Sequence, residues 1–181
     1  MNISSRYVVI DTETTGLDLI NDVPIQLAYQ VRLFNGNVTS KGVWYHKIDK
    51  PLPKIITEIT GITDETLKMY GISLGSGAER YHNLIWDNKP VTLLGYNILN
   101  FDFPLIQNWL IHYKKGKFKH PPLLKIIDVM QLASEYFKTR KWLKQSVAAE
   151  RLKLDFDPSK LHDAEYDIDL CWRIFWHITN G

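Results

Sequence analysis

Cysteine, long apolar runs and a leader-like start are scarce or missing in this sequence of 181 residues. The single cysteine, Cys171, excludes an internal disulfide and any zinc site built on several cysteines. No stretch of about 18 apolar residues occurs, so a membrane-spanning helix is not expected. Residues 1–6 lack a basic segment leading into an apolar one, so no secretory signal is visible. We therefore expect a reducing, cytoplasmic setting without a membrane partner.

The residues that are present favour one folded domain. Hydrophobic residues make up 45% of the chain, charged residues 23% and aromatic residues 12%. This composition can bury a sizeable core and excludes disorder as the dominant state. The basic segment 114–122 is the only candidate linker, and it is too short to separate two domains. We predict a single domain over residues 1–181.

Positive charge is concentrated in one part of the chain. The net charge is only +2. Residues 112–144 contain nine Lys or Arg against two acids, which is +7, whereas the remainder holds 13 basic and 18 acidic residues, which is −5. A basic stretch beside an acidic remainder suits an anionic partner that docks near an acid-rich centre. A solvated Lys-rich loop is the alternative, and the charge run alone favours that alternative.

The order of the apolar patterns predicts an α/β domain with a mixed five-stranded sheet flanked by helices. Residues 7–10 form a short buried-strand pattern, and residues 25–33 alternate as a half-buried strand does. Asn35-Gly36 predicts a hairpin into a third strand over 38–48. The remaining predicted elements are strands at 91–94 and 124–128, helices at 55–59, 64–69, 78–86, 103–113, 129–138, 142–152 and 163–178, and a loop at 71–77.

Two carboxylates follow the first predicted strand. Asp11 and Glu13 are two residues apart, so in an extended chain they point to the same face. Like charges placed so closely need positive compensation, and oxygen ligands suit Mg²⁺ or Mn²⁺. The turn of residues 14–17 adds hydroxyls and backbone amides that can hold a phosphate or a sugar edge. A solvated pair at a strand end is the alternative for an Asp-x-Glu taken alone.

Two further polar segments open predicted helices. Asp102 follows the fourth strand, where a carboxylate complements the helix dipole, and nearby Asn97 suits a turn. In the segment 162–167, His162 and Asp167 are about 140° apart on a helix at 100° per residue. His162 placed in the preceding loop can nevertheless lean over a site that Asp167 faces, while Asp163 suits a helix cap.

Together, three motifs resemble the DEDDh family of 3′→5′ exonucleases, most closely the proofreading epsilon subunits of bacterial replicative DNA polymerases. The motifs are VIDTETTGL at 9–17, NILNFD at 97–102 and HDAEYD at 162–167. They occur in the family's order across nearly the whole chain. Tyr96 is a departure, because many relatives have His before the Asn.

The resemblance implies a ribonuclease H-like fold and hydrolysis assisted by two Mg²⁺ or Mn²⁺ ions. It implies that Asp11 bridges both ions, that Glu13 and Asp167 complete the site of the attacking water, and that Asp102 supports the second ion. It also implies that His162 is the general base, since an imidazole pKa of about 6.5 suits proton removal near neutrality.

The resemblance also implies how the substrate binds. Thr14, Thr15 and Leu17 seat the terminal nucleotide and its 3′ hydroxyl, while Asn97 either contacts substrate or only shapes its turn. The expected substrate is a single-stranded DNA 3′ end, and the expected product is a nucleoside 5′-monophosphate. The strand's other phosphates are expected over residues 114–125 or 138–144.

Other functions stay open at this point. An RNA 3′→5′ exonuclease or oligoribonuclease would be decided by recognition of the 2′-hydroxyl, which no residue of the sequence reveals. A non-catalytic nucleic-acid-binding module should lack at least one of the four acids or the histidine, and all five are present. A polymerase or a repair protein as a partner, and the oligomeric state, are undecided by the sequence.

Overall fold

The computed structural model describes residues 6–114 and 125–181, which contain a five-stranded mixed sheet. The strands are β1 (Arg6–Thr14), β2 (Pro24–Arg32), β3 (Val38–Tyr45), β4 (Val91–Gly95) and β5 (Lys125–Asp128), in the order β3-β2-β1-β4-β5. Strands β3, β2 and β1 pair antiparallel, whereas β1, β4 and β5 pair parallel. This confirms the predicted mixed sheet.

Helices cover the sheet, and none within the described ranges is long and apolar enough to cross a membrane. Of the candidate linker 114–122, only the backbone of Lys114 belongs to the described residues. Lys115, Lys117 and Lys119, which carry part of the predicted positive charge, lie outside them. The helices are α1 (Lys54–Thr60), α2 (Asp64–Tyr70), α3 (Leu74–Asp87), α4 (Asp102–Lys114), α5 (Val129–Tyr136), α6 (Gln145–Arg151) and α7 (Ala164–Asn180), with a short 3₁₀ turn at Pro158–Lys160.

Helix α3 begins earlier than the sequence predicts. Residues 74–77, the second half of the segment 71–77 expected to be a loop, form the first turn of this helix instead. Ser73 caps the helix, because its side-chain oxygen accepts the N–H of Ser76 at 3.1 Å. Gly77 lies against the buried ring of His46, and a Cβ there would collide with that ring. The glycine is therefore present for close packing and not to form a loop.

The centre of the sheet is buried on both faces, which explains the unbroken apolar run before Asp11. On one face, Val9 packs with residues of α5, α6 and α7, including Ile168. On the other face, Val8 and Ile10 pack with residues of α3 and α4. Strands that are covered on both faces have continuous apolar sequences. Burial of each such side chain stabilises the folded state by about 1.5–3 kcal/mol. This packing fixes the position at which β1 emerges at the end of the sheet.

Strand β2 differs from the prediction, because it also is buried on both faces. The alternation in residues 25–33 predicts an exposed polar face, yet Gln30 and Arg32 are buried under α7. Arg32 Nε donates to Gln30 Oε1 at 2.8 Å, and Arg32 Nη2 donates to Asp169 at 2.6 Å. The guanidinium also lies 5.1 Å from the centre of the Trp172 ring. Satisfied hydrogen bonds let these polar groups lie inside.

Candidate active site

Strand β1 continues beyond its parallel neighbour, and the site is built on this extension. The pairing of β1 with β4 runs through Val9, whereas β1 itself continues to Thr14. On the extension, Asp11 and Glu13 share one face of the strand because they are two residues apart. The intervening Thr12 is buried on the opposite face. The two carboxylates of the first motif therefore lie side by side at the end of the central strand.

Asp102 occupies the position where a neighbouring strand would otherwise pair with this extension. It opens α4 just after β4, and only 3% of its surface is exposed. Its Oδ1 accepts the backbone N–H of Thr12 at 3.0 Å and the Thr12 hydroxyl at 2.6 Å. Burial raises the pKa of Asp102 to about 6, against the opposing effect of these hydrogen bonds. The second motif is thus fastened to the first.

Asp167 approaches from the first turn of α7. Its Oδ2 accepts the backbone N–H of His162 at 3.0 Å, while its Oδ1 is buried without a hydrogen-bond partner among the described residues. Burial raises the pKa of Asp167 to about 6, although the hydrogen bond and charge of His162 oppose the shift. An unpartnered buried carboxylate oxygen costs free energy unless something positive reaches it.

His162 lies in the loop immediately before α7, as the motif spacing allows. Its side chain is exposed, and its backbone is left-handed at φ 70°, an uncommon conformation for a residue with a Cβ. Asp163 is the cap of α7, because its carboxylate accepts the N–H of Glu165 at 3.0 Å and that of Tyr166 at 3.4 Å. The predicted helix-cap role of Asp163 is therefore confirmed.

The four carboxylates act on one another electrostatically. The pKa of Asp11 is raised well above its ordinary value by burial first and then by Asp102, Glu13 and Asp167. The pKa of Glu13 is raised to about 8 by burial, followed by Asp167 and Asp102. Acids from three separate chain segments therefore repel one another around the end of β1, which is the situation that a bound cation relieves.

The side chains present fit a divalent cation. The donors are carboxylate oxygens, which suit Mg²⁺ or Mn²⁺, and the buried Asp167 Oδ1 has no hydrogen-bond partner within residues 6–114 and 125–181. In the described part of the chain, no group of three or more His, Cys, Asp or Glu side chains already has an arrangement that could hold a metal. Asp102 accepts a hydrogen bond from the Thr12 hydroxyl, and Asp167 accepts one from the backbone N–H of His162. These donors hold the two carboxylates despite the repulsion among the acids.

The turn after β1 is held by its own side chains. Thr14 Oγ1 donates to the carbonyl of Gly16 at 2.5 Å, and Thr15 Oγ1 donates to Asp22 at 2.6 Å. Gly16 lies so close to Asp22 that a Cβ would collide with its carboxylate. Leu17 is left 83% exposed beyond the end of the strand. Of the three substrate residues predicted in this turn, the two threonines are engaged within the turn and Leu17 faces solvent.

Asn97 lies in a turn organised by Asp128. The backbone of Asn97 is left-handed at φ 63°, and its N–H donates to Asp128 Oδ1 at 3.1 Å. Asp128 also accepts the N–H of Leu99 at 3.1 Å and caps α5 through the N–H of Met130 at 3.0 Å. Of the two roles open to Asn97, the shaping of the turn is therefore the one with contacts in the structure.

A groove beside the site involves residues that the motifs do not include. It has a volume of about 610 Å³ and is lined by Tyr96, Trp142, Leu143, Gln145, His162 and Asp167, among others. Gln145 Nε2 donates to the backbone carbonyl of Asp167 at 2.7 Å, which ties α6 to the third motif. In the sequence, the one signal for this side of the groove is the basic and aromatic composition of residues 138–144.

Comparison with known proteins identifies a family and relatives to which the chain is similar. The sequence matches the exonuclease family (RNase T) over residues 8–175. It is 33% identical over 173 residues to the PolC-type DNA polymerase III of Mycoplasma genitalium, covering 96% of this chain and 11% of that protein. It is 27% identical over 179 residues to the DNA polymerase III subunit epsilon of Rickettsia felis, covering 98% of this chain and 76% of that subunit.

Solved structures of exonuclease I share the fold. The E. coli enzyme in complex with a dT13 oligonucleotide superposes with a TM-score of 0.80 at 20% identity, covering 97% of this chain and 41% of that one. A zinc-bound complex of E. coli exonuclease I with single-stranded DNA gives a TM-score of 0.79 at 21% identity, covering 97% of this chain and 40% of that one. The chain thus spans less than half of exonuclease I and a small part of PolC. The structural match confirms the ribonuclease H-like fold, and the match over residues 8–175 shows that the chain belongs to the exonuclease family.

Proposed function

We propose that residues 1–181 form one exonuclease domain that hydrolyses nucleic acids from the 3′ end. Single-stranded DNA is the favoured substrate, and nucleoside 5′-monophosphates are the product. The observation that carries the proposal is the meeting of acids from three separate segments, where burial and the charges of Asp102 and Asp167 raise the pKa of Asp11 and Glu13, near an exposed histidine. Membership of the exonuclease family supports it.

The four acids are the proposed ligands of two Mg²⁺ or Mn²⁺ ions. Asp11 is central, because its pKa responds to all three of the others, which suits a carboxylate shared between two ions. Glu13 and Asp167 are proposed for one ion and Asp102 for the other. Bound ions would supply an activated water and stabilisation of the leaving 3′ oxygen. The chain itself supplies the carboxylates and holds Asp102 in place through Thr12.

His162 is the proposed general base. Its backbone N–H is committed to Asp167, but its ring is exposed at the mouth of the groove. The left-handed backbone at this residue turns the chain into α7 and leaves the imidazole beside the acids. A ring nitrogen of an imidazole can accept the proton of the attacking water as a general base.

The turn of residues 14–17 is the proposed seat of the terminal nucleotide. The internal hydrogen bonds of Thr14 and Thr15 hold this turn directly after the acids. Leu17 then offers an apolar surface to the terminal sugar or base. A turn that closes one end of the site admits the strand from one side only, which explains why cleavage would begin at a chain end. Asn97 is proposed to support this geometry through its own turn.

The cellular setting follows from the same proposal. The proposed location is the cytoplasm, as one setting in which a nucleic-acid substrate is present. The PolC and epsilon relatives are DNA polymerase III proteins, and a polymerase is therefore the partner class to test first, with a repair protein as the alternative.

The deciding experiment is one digestion series. Oligonucleotides of DNA and RNA, single- and double-stranded and labelled at either end, are incubated with Mg²⁺ or with excess chelator. We expect mononucleotides released from a free 3′ end, only with the metal, and faster from single-stranded DNA. Asp11→Asn should abolish this release. Asp87→Asn is the matched control, because Asp87 is exposed at the end of α3, just before the start of β4.

Two results would contradict the proposal. Cleavage of circular single strands would show that the site does not need an end, and undiminished hydrolysis in chelator would remove the metal assignment. Faster release from RNA than from DNA would instead select the RNA exonuclease among the functions that the sequence leaves open.

A further inference from the structure

The groove beside the acids carries an exposed indole that the proposed chemistry does not use. Trp142 lies in the segment between α5 and α6 and is 61% exposed. It lines the same cavity of about 610 Å³ as His162 and Asp167. A large aromatic ring left open to water beside a functional site is a candidate binding surface.

The segment that presents Trp142 is anchored on both sides. The next residue, Leu143, is buried, and its carbonyl accepts the hydroxyl of Tyr96 at 2.8 Å. On the preceding side, the Thr139 hydroxyl accepts the N–H of Lys141 at 3.2 Å, and the N–H of Thr139 donates to the carbonyl of Ser134 at 3.0 Å. Inward anchoring of Leu143 leaves Trp142 on the solvent side of the chain.

The charge around the indole matches one class of ligand. Lys138, Arg140, Lys141 and Lys144 are all exposed on the same short segment. Exposed cations interleaved with an aromatic ring are the combination that holds single-stranded nucleic acid, since the bases stack on the ring and the phosphates contact the cations. Another exposed aromatic residue, Tyr70 at the end of α2, is 65% exposed but does not line this cavity.

We infer that Trp142 is a stacking platform for one base of the single-stranded substrate, with the flanking phosphates over Lys141 and Lys144. This inference rests on the proposed exonuclease function and adds a subsite to it. It also gives Tyr96 a role, because the hydroxyl of Tyr96 fixes the carbonyl next to the platform. Tyr96 is therefore a positioning residue for the subsite.

The test compares a substrate that has neighbouring bases with one that has none. Hydrolysis of a single-stranded dT12 oligonucleotide is compared with hydrolysis of the p-nitrophenyl ester of thymidine 5′-monophosphate. Trp142→Ala should lower kcat/KM for dT12 by about 10-fold, the size expected for one lost base–aromatic stack, and leave the ester unchanged. Trp142→Phe should recover part of the loss. Tyr70→Ala is the matched control and should change neither.

Abasic oligonucleotides locate the stacked base. A series of dT12 strands, each lacking one base near the 3′ end, should contain one strand that the wild type cleaves about 10-fold more slowly. Trp142→Ala should show no further loss on that strand, because the same contact is already missing. A loss that is equal for every abasic strand would show that the indole only supports the loop, and would overturn the inference.

The inference and the proposed function fail in different ways. If the wild type cleaves dT12 and Trp142→Ala behaves like Tyr70→Ala, the platform is wrong and the exonuclease function stands. If the wild type cleaves neither substrate, the proposed function is wrong. Fluorescence anisotropy with labelled dT12 then decides the platform by itself, since Trp142→Ala must weaken binding about 10-fold for the inference to hold.

Discussion

Asp102 and Asp167 are both first-turn residues of a helix, yet their carboxylates are held differently. Burial raises the pKa of each to about 6. Asp102 Oδ1 accepts two hydrogen bonds from Thr12. Asp167 accepts the N–H of His162 with one oxygen, and its other oxygen has no partner in the part of the chain that the structure describes. One acid is thus fixed in advance by the central strand, and the other is left with an oxygen available to a cation.

Removal of the negative charge of Asp102 or of Asp167 should have the largest effect on activity. The loss should be similar at the two positions, although the two carboxylates are held differently. We expect Asp102→Asn and Asp167→Asn each to lower kcat by at least about 10³-fold, which is more than residues that only orient metal ligands usually cost. The measurement is single-turnover release from labelled single-stranded DNA. A variant that keeps a tenth of the wild-type rate would show that its acid is not a metal ligand.

Loss of the His162 ring should separate its side-chain role from its backbone role beside Asp167. His162→Ala and His162→Asn should both lower the rate by about 10²- to 10⁴-fold, the usual contribution of general acid–base catalysis. DNA affinity should stay the same in both, and the rise of the rate near neutral pH should disappear. The asparagine variant should be the more stable one, because asparagine tolerates the left-handed backbone at φ 70° better than alanine. A wild-type rate and pH profile would assign the base elsewhere.

Truncation of Asp102 and of Asp167 to alanine should change the free energy of unfolding by different amounts, because the two carboxylates are held differently. Asp102→Ala leaves the buried N–H and hydroxyl of Thr12 without an acceptor, at about 1–3 kcal/mol for each unsatisfied group. Asp167→Ala frees an N–H on an exposed loop, where water can replace the carboxylate. We expect Asp102→Ala to lower the free energy of unfolding by about 2 kcal/mol more than Asp167→Ala does, as measured in urea. Equal losses would contradict the pre-fixed role of Asp102, and Asp87→Ala is the surface control.

The last expected effect is on the pH dependence of stability without metal. The pKa of Glu13 is raised to about 8, against about 4.3 in an unfolded chain. The fold therefore favours the protonated carboxyl, so its stabilising contribution is present below the unfolded pKa and is lost as pH rises through about 8. Tm should fall as the pH rises from about 4.3 to about 8, and Mg²⁺ should raise Tm more at the higher pH. Glu13→Gln should flatten the profile, and a Mg²⁺ effect that is independent of pH would contradict it.

Much of the frame could be predicted because local patterns and tertiary packing agree there. The run 7–10 reads as a buried strand and is one, since helices cover both faces of β1. The spacing of Asp11 and Glu13 places both side chains on one face by strand geometry alone. Asp163 was recognisable as a cap because capping depends on neighbours in sequence.

The rest depended on partners distant in sequence. The polar alternation of β2 predicts an exposed face, but Asp169 and Trp172, far along the chain, satisfy Arg32 inside. Nothing near Asp102 in sequence indicates that Thr12 donates hydrogen bonds to its carboxylate, because the two residues are 90 positions apart. The expected phosphate path over residues 114–125 lies outside the described residues apart from the backbone of Lys114 and residue Lys125, so that prediction stays a prediction.

Helix α7 has a consequence for when the protein can become active during its synthesis. This one helix covers a face of the sheet, pairs with β2 through Asp169 and brings Asp167 to the acids of β1. A nascent chain that has emerged only through α6 can neither close that face nor complete the acidic set. Under the proposed function, docking of α7 completes the acidic site, so a nascent chain that has emerged only through α6 would lack the nuclease activity.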